Sequence, residues 1–248
     1  MTDTLRVLLE IGKKRRVVAG ATDWPGLDRG GTSEDDAVGK LTSYLPRYAG
    51  VAERAGQVAE FARSSDVDVV ERVPGSSSTD FWGIAHVPSL IEAEVLTPAA
   101  LERRLDLLQA CWAWFDDVAT RVSSELRPQP RGGGRSRDQI IRHVYLNEPE
   151  QFTRKVEVRT PLDVVATPAG LKAHRRACLD AIRAYNADGK PARTWPIQFL
   201  IRRIAHHVTD HGWELEDRDL SGTPTGPTTS TIPEVPPRLS RRSTRPGR

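Results

Sequence analysis

The chain has 248 residues, 38% of them hydrophobic and 28% charged, which is enough for one large or two small domains with a real core. No apolar run approaches the ~20 residues that cross a bilayer. In MTDTLRVLLEIGKKRR the basic cluster follows a short apolar stretch instead of preceding it, so this is no secretory signal and the expected location is cytoplasmic. The net charge of +3 sits in residues 219–248, with five Arg against two acids; the remaining 218 residues are neutral overall, which argues against a basic face shaped for nucleic acid.

The first part reads as α+β. Leu5 to Leu9 and Arg16 to Ala19 are strand-like runs around a hairpin connection, Gly12-Lys13-Lys14-Arg15. Asp23-Trp24-Pro25-Gly26 is a turn signal. Thr32 or Ser33 caps a helix whose first turn carries Glu34, Asp35 and Asp36, where the positive end of the dipole favours acids. Pro46 breaks or kinks that helix, and a second helix is expected over about 47–63. Val67 to Val73 and Phe81 to His86 complete the module as two further strands.

From Thr97 the pattern is helical throughout. Thr97-Pro98 is a cap with proline at the first helical position, and Leu101, Leu105, Leu108, Trp112, Phe115, Val118 and Val122 repeat at three-to-four spacing. Arg127 to Gly134 is a Pro/Gly-rich linker. Ser136-x-x-Gln139 is a capping-box pattern that opens a helix through Ile140, Val144 and Phe152, with a kink or boundary expected at Pro149. Thr167-Pro168 opens a third helix, which Gly189 stops, and Trp195-Pro196 opens a fourth that runs through Leu215. The expectation is therefore an α+β module over 1–92, an all-α four-helix bundle over 97–218, and a disordered tail over 221–248 with almost nothing to bury. Cys111 and Cys178 fall in helical segments without metal-type spacing and read as reduced, buried thiols.

Three of the six histidines cluster in Ala205-His206-His207-Val208-Thr209-Asp210-His211. Helical positions four apart lie one above the other, so His207 and His211 share a face with Ile197, Leu200, Ile204 and Leu215 and are placed so that they can chelate one ion. His206 is turned about 100° away. A third ligand would come from another helix: His143 lies beside Ile140 and Val144, and His174 also lies on an apolar stripe, so spacing leaves the two in competition. Hydrogen-bonded packing is the alternative role for any of them. Glu214 falls on the same face as His207 and His211, either to orient a ligand histidine or as a solvated helix-end carboxylate.

The stretches Arg137-Asp138-Gln139-Ile140-Ile141-Arg142-His143-Val144 and His207-Val208-Thr209-Asp210-His211-Gly212-Trp213-Glu214-Leu215-Glu216-Asp217-Arg218 resemble the DinB/YfiT-like superfamily of four-helix metal-binding proteins. The resemblance covers about half the chain. It implies a divalent ion, zinc or nickel, held by one histidine of the second helix and an HxxxH pair of the fourth: His143, His207 and His211. Pro149 departs from the uninterrupted second helix of many relatives, but it lies downstream of His143. The resemblance further implies a metal-dependent thiol S-transferase or isomerase that uses a low-molecular-weight thiol such as mycothiol or bacillithiol; the partner expected is a small-molecule substrate, with no specific nucleic acid and no membrane on the grounds of charge and hydropathy, and a homodimer is allowed. The alternative is a non-catalytic, metal-stabilised binding or stress-related protein. In the enzyme reading Glu214 orients a histidine, and Trp24 and Trp82 shape a pocket unless they serve as core aromatics. The N-terminal part resembles HicB-like α+β modules, carried by Asp23-Trp24-Pro25-Gly26 and by Gly31-Thr32-Ser33-Glu34-Asp35-Asp36-Ala37 at a helix start.

Overall fold

The computed structural model describes residues 4–64, 66–129 and 133–221. Most of the tail assigned to 221–248 lies outside them. The first segment builds a four-stranded sheet in the order β3-β2-β1-β4. Strands β1 (Thr4–Ile11) and β2 (Val17–Ala21) pair antiparallel across the expected hairpin, with Leu9 opposite Ala19. β3 (Asp28–Gly31) extends the antiparallel pairing, and β4 (Asp66–Pro74) lies parallel to β1 at the other edge. Every residue of β2 is buried, so both faces of the sheet are covered. β3 escapes pattern reading because DRGG contains no apolar residue. Its neighbours explain it: Gly31 lies directly against the backbone of Ala37, where any Cβ would collide.

Helix α1 (Glu34–Ser43) starts on Ser33, whose side chain accepts from the Asp36 amide. Pro46 falls at the start of α2 (Leu45–Arg54), where a missing N–H costs nothing. The helix expected over about 47–63 is two: Gly56, at φ +69°, ends α2, and α3 (Val58–Arg63) follows. Nor is Phe81 to His86 a strand. Ser76 and Thr79 form a reciprocal cap that opens a short helix, α4 (Ser77–Trp82), and left-handed Gly83 closes it. The cap residues outcompete the apolar run that follows them.

The later segment is helical. α5 (Pro98–Arg121) starts on Thr97, and α6 (Arg137–Asn147) starts on the reciprocal Ser136/Gln139 cap. At Pro149 the missing donor widens the backbone into a π turn, Glu148–Phe152, followed by a 3-10 turn, Thr153–Val156. This turn buries Glu148 against Arg175, at 2.8 Å. A short α7 (Leu162–Val165) precedes α8 (Pro168–Ala187), and α9 (Ile197–Arg218) closes the segment. α9 packs on α5, α6 and α8.

The two segments share one hydrophobic core, which includes Leu5, Val7, Trp24 and Tyr48 together with Leu108, Phe115, Ile204 and Leu215. Charge also joins them. Arg202 on α9 reaches Asp28 of β3 at 2.6 Å and Glu92 at 2.6 Å, all three buried. Arg29 is stacked on Tyr44 (3.8 Å) and Trp213 (4.1 Å) and bonds Asp210 at 2.7 Å. No helix among the described residues is long and apolar enough to cross a membrane.

Candidate metal centre

His207 and His211 are four residues apart on α9, and the cap at Ser136 sets the register that carries His143 of α6 to the same place. One ring nitrogen from each of the three lies within 4.8 Å of the others. The Nε2 atoms of His143 and His207 are 3.3 Å apart. Tetrahedral zinc–nitrogen bonds of ~2.0–2.1 Å place two ligand nitrogens about 3.3 Å apart, so this spacing suits a shared ion. The three rings stand at 4.9 to 5.1 Å between centroids, inclined to one another by 56° to 86°. The three could hold a metal ion. They are half-buried, at the rim of the helical segment rather than in its core.

The outer nitrogens of His211 and His143 hold those two rings in place. His211 Nδ1 meets Glu214 Oε2 at 3.0 Å. Glu214 is itself held by Arg218 at 2.9 Å and Gln129 at 3.2 Å. Hydrogen bonding to His211 and to Arg218 keeps the Glu214 carboxyl below its usual range despite burial. The carboxylate therefore stays charged and fixes which His211 nitrogen faces inward. His143 Nδ1 lies 2.9 Å from the Asn147 amide, one helical turn on. His207 Nδ1 is buried without a hydrogen-bond partner, and its ring rests on Phe152, which the π turn delivers. Burial, with the neighbouring His211, lowers His143 to about 4 and holds His207 well below its ordinary value. Both rings are neutral near pH 7, the form that binds metal.

The other histidines are elsewhere. His174 is buried on α8 with Nδ1 2.8 Å from Thr160 Oγ1 and Nε2 3.4 Å from Thr153 Oγ1, which is the packing role. His206 turns to the opposite side, 4.0 Å from Asp28. His86 lies in the loop after α4, held by its backbone amide on Glu10. Trp24 is a core aromatic, edge-on to Phe61 at 4.8 Å, and Trp82 is exposed against Phe81. Neither tryptophan is close to the histidines in the contacts that place them. Cys111 and Cys178 are buried free thiols whose pKa burial raises, which makes them poor nucleophiles.

No protein-family model, curated protein or solved structure matches the chain. Sequence reading passed over Asn147, whose only signal is an amide four residues after a candidate ligand, and Gln129, which lies in a linker without periodicity.

His174 carries a pH prediction of its own. Burial, with Arg175 beside it, lowers its pKa from 6.5 to about 4. Above pH 6.5 the ring is neutral folded and unfolded, and its neutral hydrogen bonds are fully present. As pH falls from 6.5 towards 4 the unfolded chain takes up a proton that the folded chain refuses, so stability is lost across that window, by on the order of 1–2 kcal/mol. Chemical denaturation of the wild type and of His174→Gln between pH 7.5 and 4.5 should give a flatter slope in the variant; parallel slopes would mean that the ring titrates normally.

Proposed function

We propose that the chain is a metal-dependent protein of the DinB/YfiT-like kind, its later segment a four-helix bundle of α5, α6, α8 and α9, with one zinc or nickel ion on His143, His207 and His211. The observation that carries this reading is the convergence of the three ring nitrogens, one of them braced by the Glu214–Arg218 pair. A three-histidine donor set suits zinc or nickel and leaves a coordination position open. When bound, the ion supplies a Lewis acid at which water or a thiol ionises near neutral pH. Around it, Glu214 holds His211 in one tautomer, Asn147 restrains His143, and Phe152 limits rotation of His207. On this reading the reaction is transfer or isomerisation with a low-molecular-weight thiol on a small-molecule substrate.

A second reading, a metal-stabilised binding protein without catalysis, is favoured by one feature. A cleft of about 1060 Å³ runs between α5, α6 and α8, lined by Trp112, Tyr145, Leu171 and Arg175. It meets α6 through Ile141 and Tyr145, on the side of the helix opposite His143. A ligand there would leave the ion a structural role.

Metal analysis of the purified chain tests the site: close to one ion per chain is expected, and none in His207→Ala/His211→Ala. A folded wild-type protein that takes up no zinc or nickel sinks both readings. Consumption of a low-molecular-weight thiol with electrophilic substrates then separates them. Glu214→Gln should keep the fold and weaken metal affinity about 10–100-fold, measured by competition with a chromophoric chelator; unchanged affinity would return Glu214 to a surface role.

A further inference from the structure

Arg203 lies on α9 one helical turn before His207 and two before His211, so it shares their face. It is 6% exposed. Among the described residues it has no carboxylate within ion-pair reach, and its Nε and Nη1 are buried with nothing to donate to. The adjacent Arg202 shows what a satisfied guanidinium looks like here, with the same burial but Asp28 and Glu92 in contact. Leaving a guanidinium buried and unpaired is costly. Burial outweighs the more distant Asp28, Glu10 and Asp210 and draws Arg203 down to about 10.

Besides those acids, all beyond ion-pair reach, and the neighbouring Arg202, further cations lie on this side. The charges acting on His86 are those of Arg203 and Lys155, and those acting on Lys155 are Arg193 and Arg154. The turn over Thr153–Val156 and the loop that carries Arg193 thus set positive groups near His86 and Arg203, while no acid is in contact with Arg203 among the described residues.

We propose that Arg203 anchors a small ligand through an oxyanion, a carboxylate or a phosphate, whose other end reaches the ion held by His143, His207 and His211. This rests on the metal reading for the second contact only. Arginine suits the first because its planar, weakly hydrated guanidinium matches such groups. The substrate class is then anionic, and the buried cation is a stability cost retained for binding.

The test titrates the full chain, with zinc content measured first, by calorimetry with acetate, inorganic phosphate and neutral acetamide, in zinc-free and zinc-loaded forms. Acetate or phosphate should bind in both forms and acetamide in neither; the preferred anion names the source. Arg203→Met should weaken that binding at least tenfold, keep the wild-type zinc content, and melt no lower than the wild type without ligand. Arg203→Lys should keep the charge and bind at intermediate strength. Absence of anion binding to the zinc-free wild type, equal binding in Arg203→Met, or a lower melting temperature for that variant at unchanged zinc content would each overturn the proposal. A wild type that holds no zinc but still binds anions through Arg203 would overturn the metal reading alone.

Discussion

Arg202→Ala is expected to cost on the order of 3–5 kcal/mol, a large part of the roughly 5–15 kcal/mol that holds a domain together. The side chain is 3% exposed and donates to Asp28 Oδ1 at 2.6 Å and to Glu92 at 2.6 and 3.1 Å. Truncation leaves two carboxylates of 1% and 5% side-chain exposure without their cation. They must then take up protons or admit water. The three groups come from β3, from the connection before α5 and from α9, so the loss should loosen the sheet from the helices. Since 1 kcal/mol moves the melting temperature of a chain this size by ~2–4 °C, a fall of about 10 °C is expected. The control is Arg202→Met with Asp28→Asn and Glu92→Gln, which removes all three charges; it should melt higher than Arg202→Ala. A loss under about 1 kcal/mol for the single variant would mean that water already reaches the carboxylates.

Metal should stabilise the chain by a comparable amount. An ion that binds only the folded state adds about 2.7 kcal/mol at a free concentration one hundred times its Kd and about 4.1 kcal/mol at one thousand times. Zinc at such an excess is therefore expected to raise the melting temperature by ~5–15 °C, and chelator to reverse the shift. The neutral state of His143 and His207 means that few protons need be displaced near pH 7. His207→Ala should abolish the shift, because it removes one of the three mutually contacting rings and the nitrogen 3.3 Å from His143 Nε2. His174→Gln should retain it, since His174 is tied to Thr153 and Thr160. Equal zinc shifts in the wild type and in His207→Ala would place the ion elsewhere.

Much of the local structure could be read from single residues, because capping and proline effects act within one turn. Ser33, Thr97, Ser136 and Thr167 each start a helix where expected, and Pro149 interrupts one by removing a donor. The i, i+4 relation of His207 and His211 follows from helix geometry alone. Residues whose role depends on partners far along the chain were less legible. Phe81 to His86 looked like a strand because its apolar content is not local evidence against the cap at Ser76. DRGG could not look like a strand, since its place in the sheet comes from pairing with β2 and from the close approach of α1.

By itself, then, the sequence determined where the helices begin and which two histidines of α9 share a face, because these depend on bonds spanning three or four residues. Spacing leaves His143 and His174 in competition and a resemblance names His143; the tertiary structure is what brings His143, and not His174, to the pair. Both lie on apolar stripes, and the difference between them is what each stripe meets: α9 with its two histidines for one, Thr153 and Thr160 for the other. The same holds for Arg202 and Arg203, neighbours of identical chemistry. A rotation of one residue around α9 brings two carboxylates into contact with the first and, among the described residues, none into contact with the second.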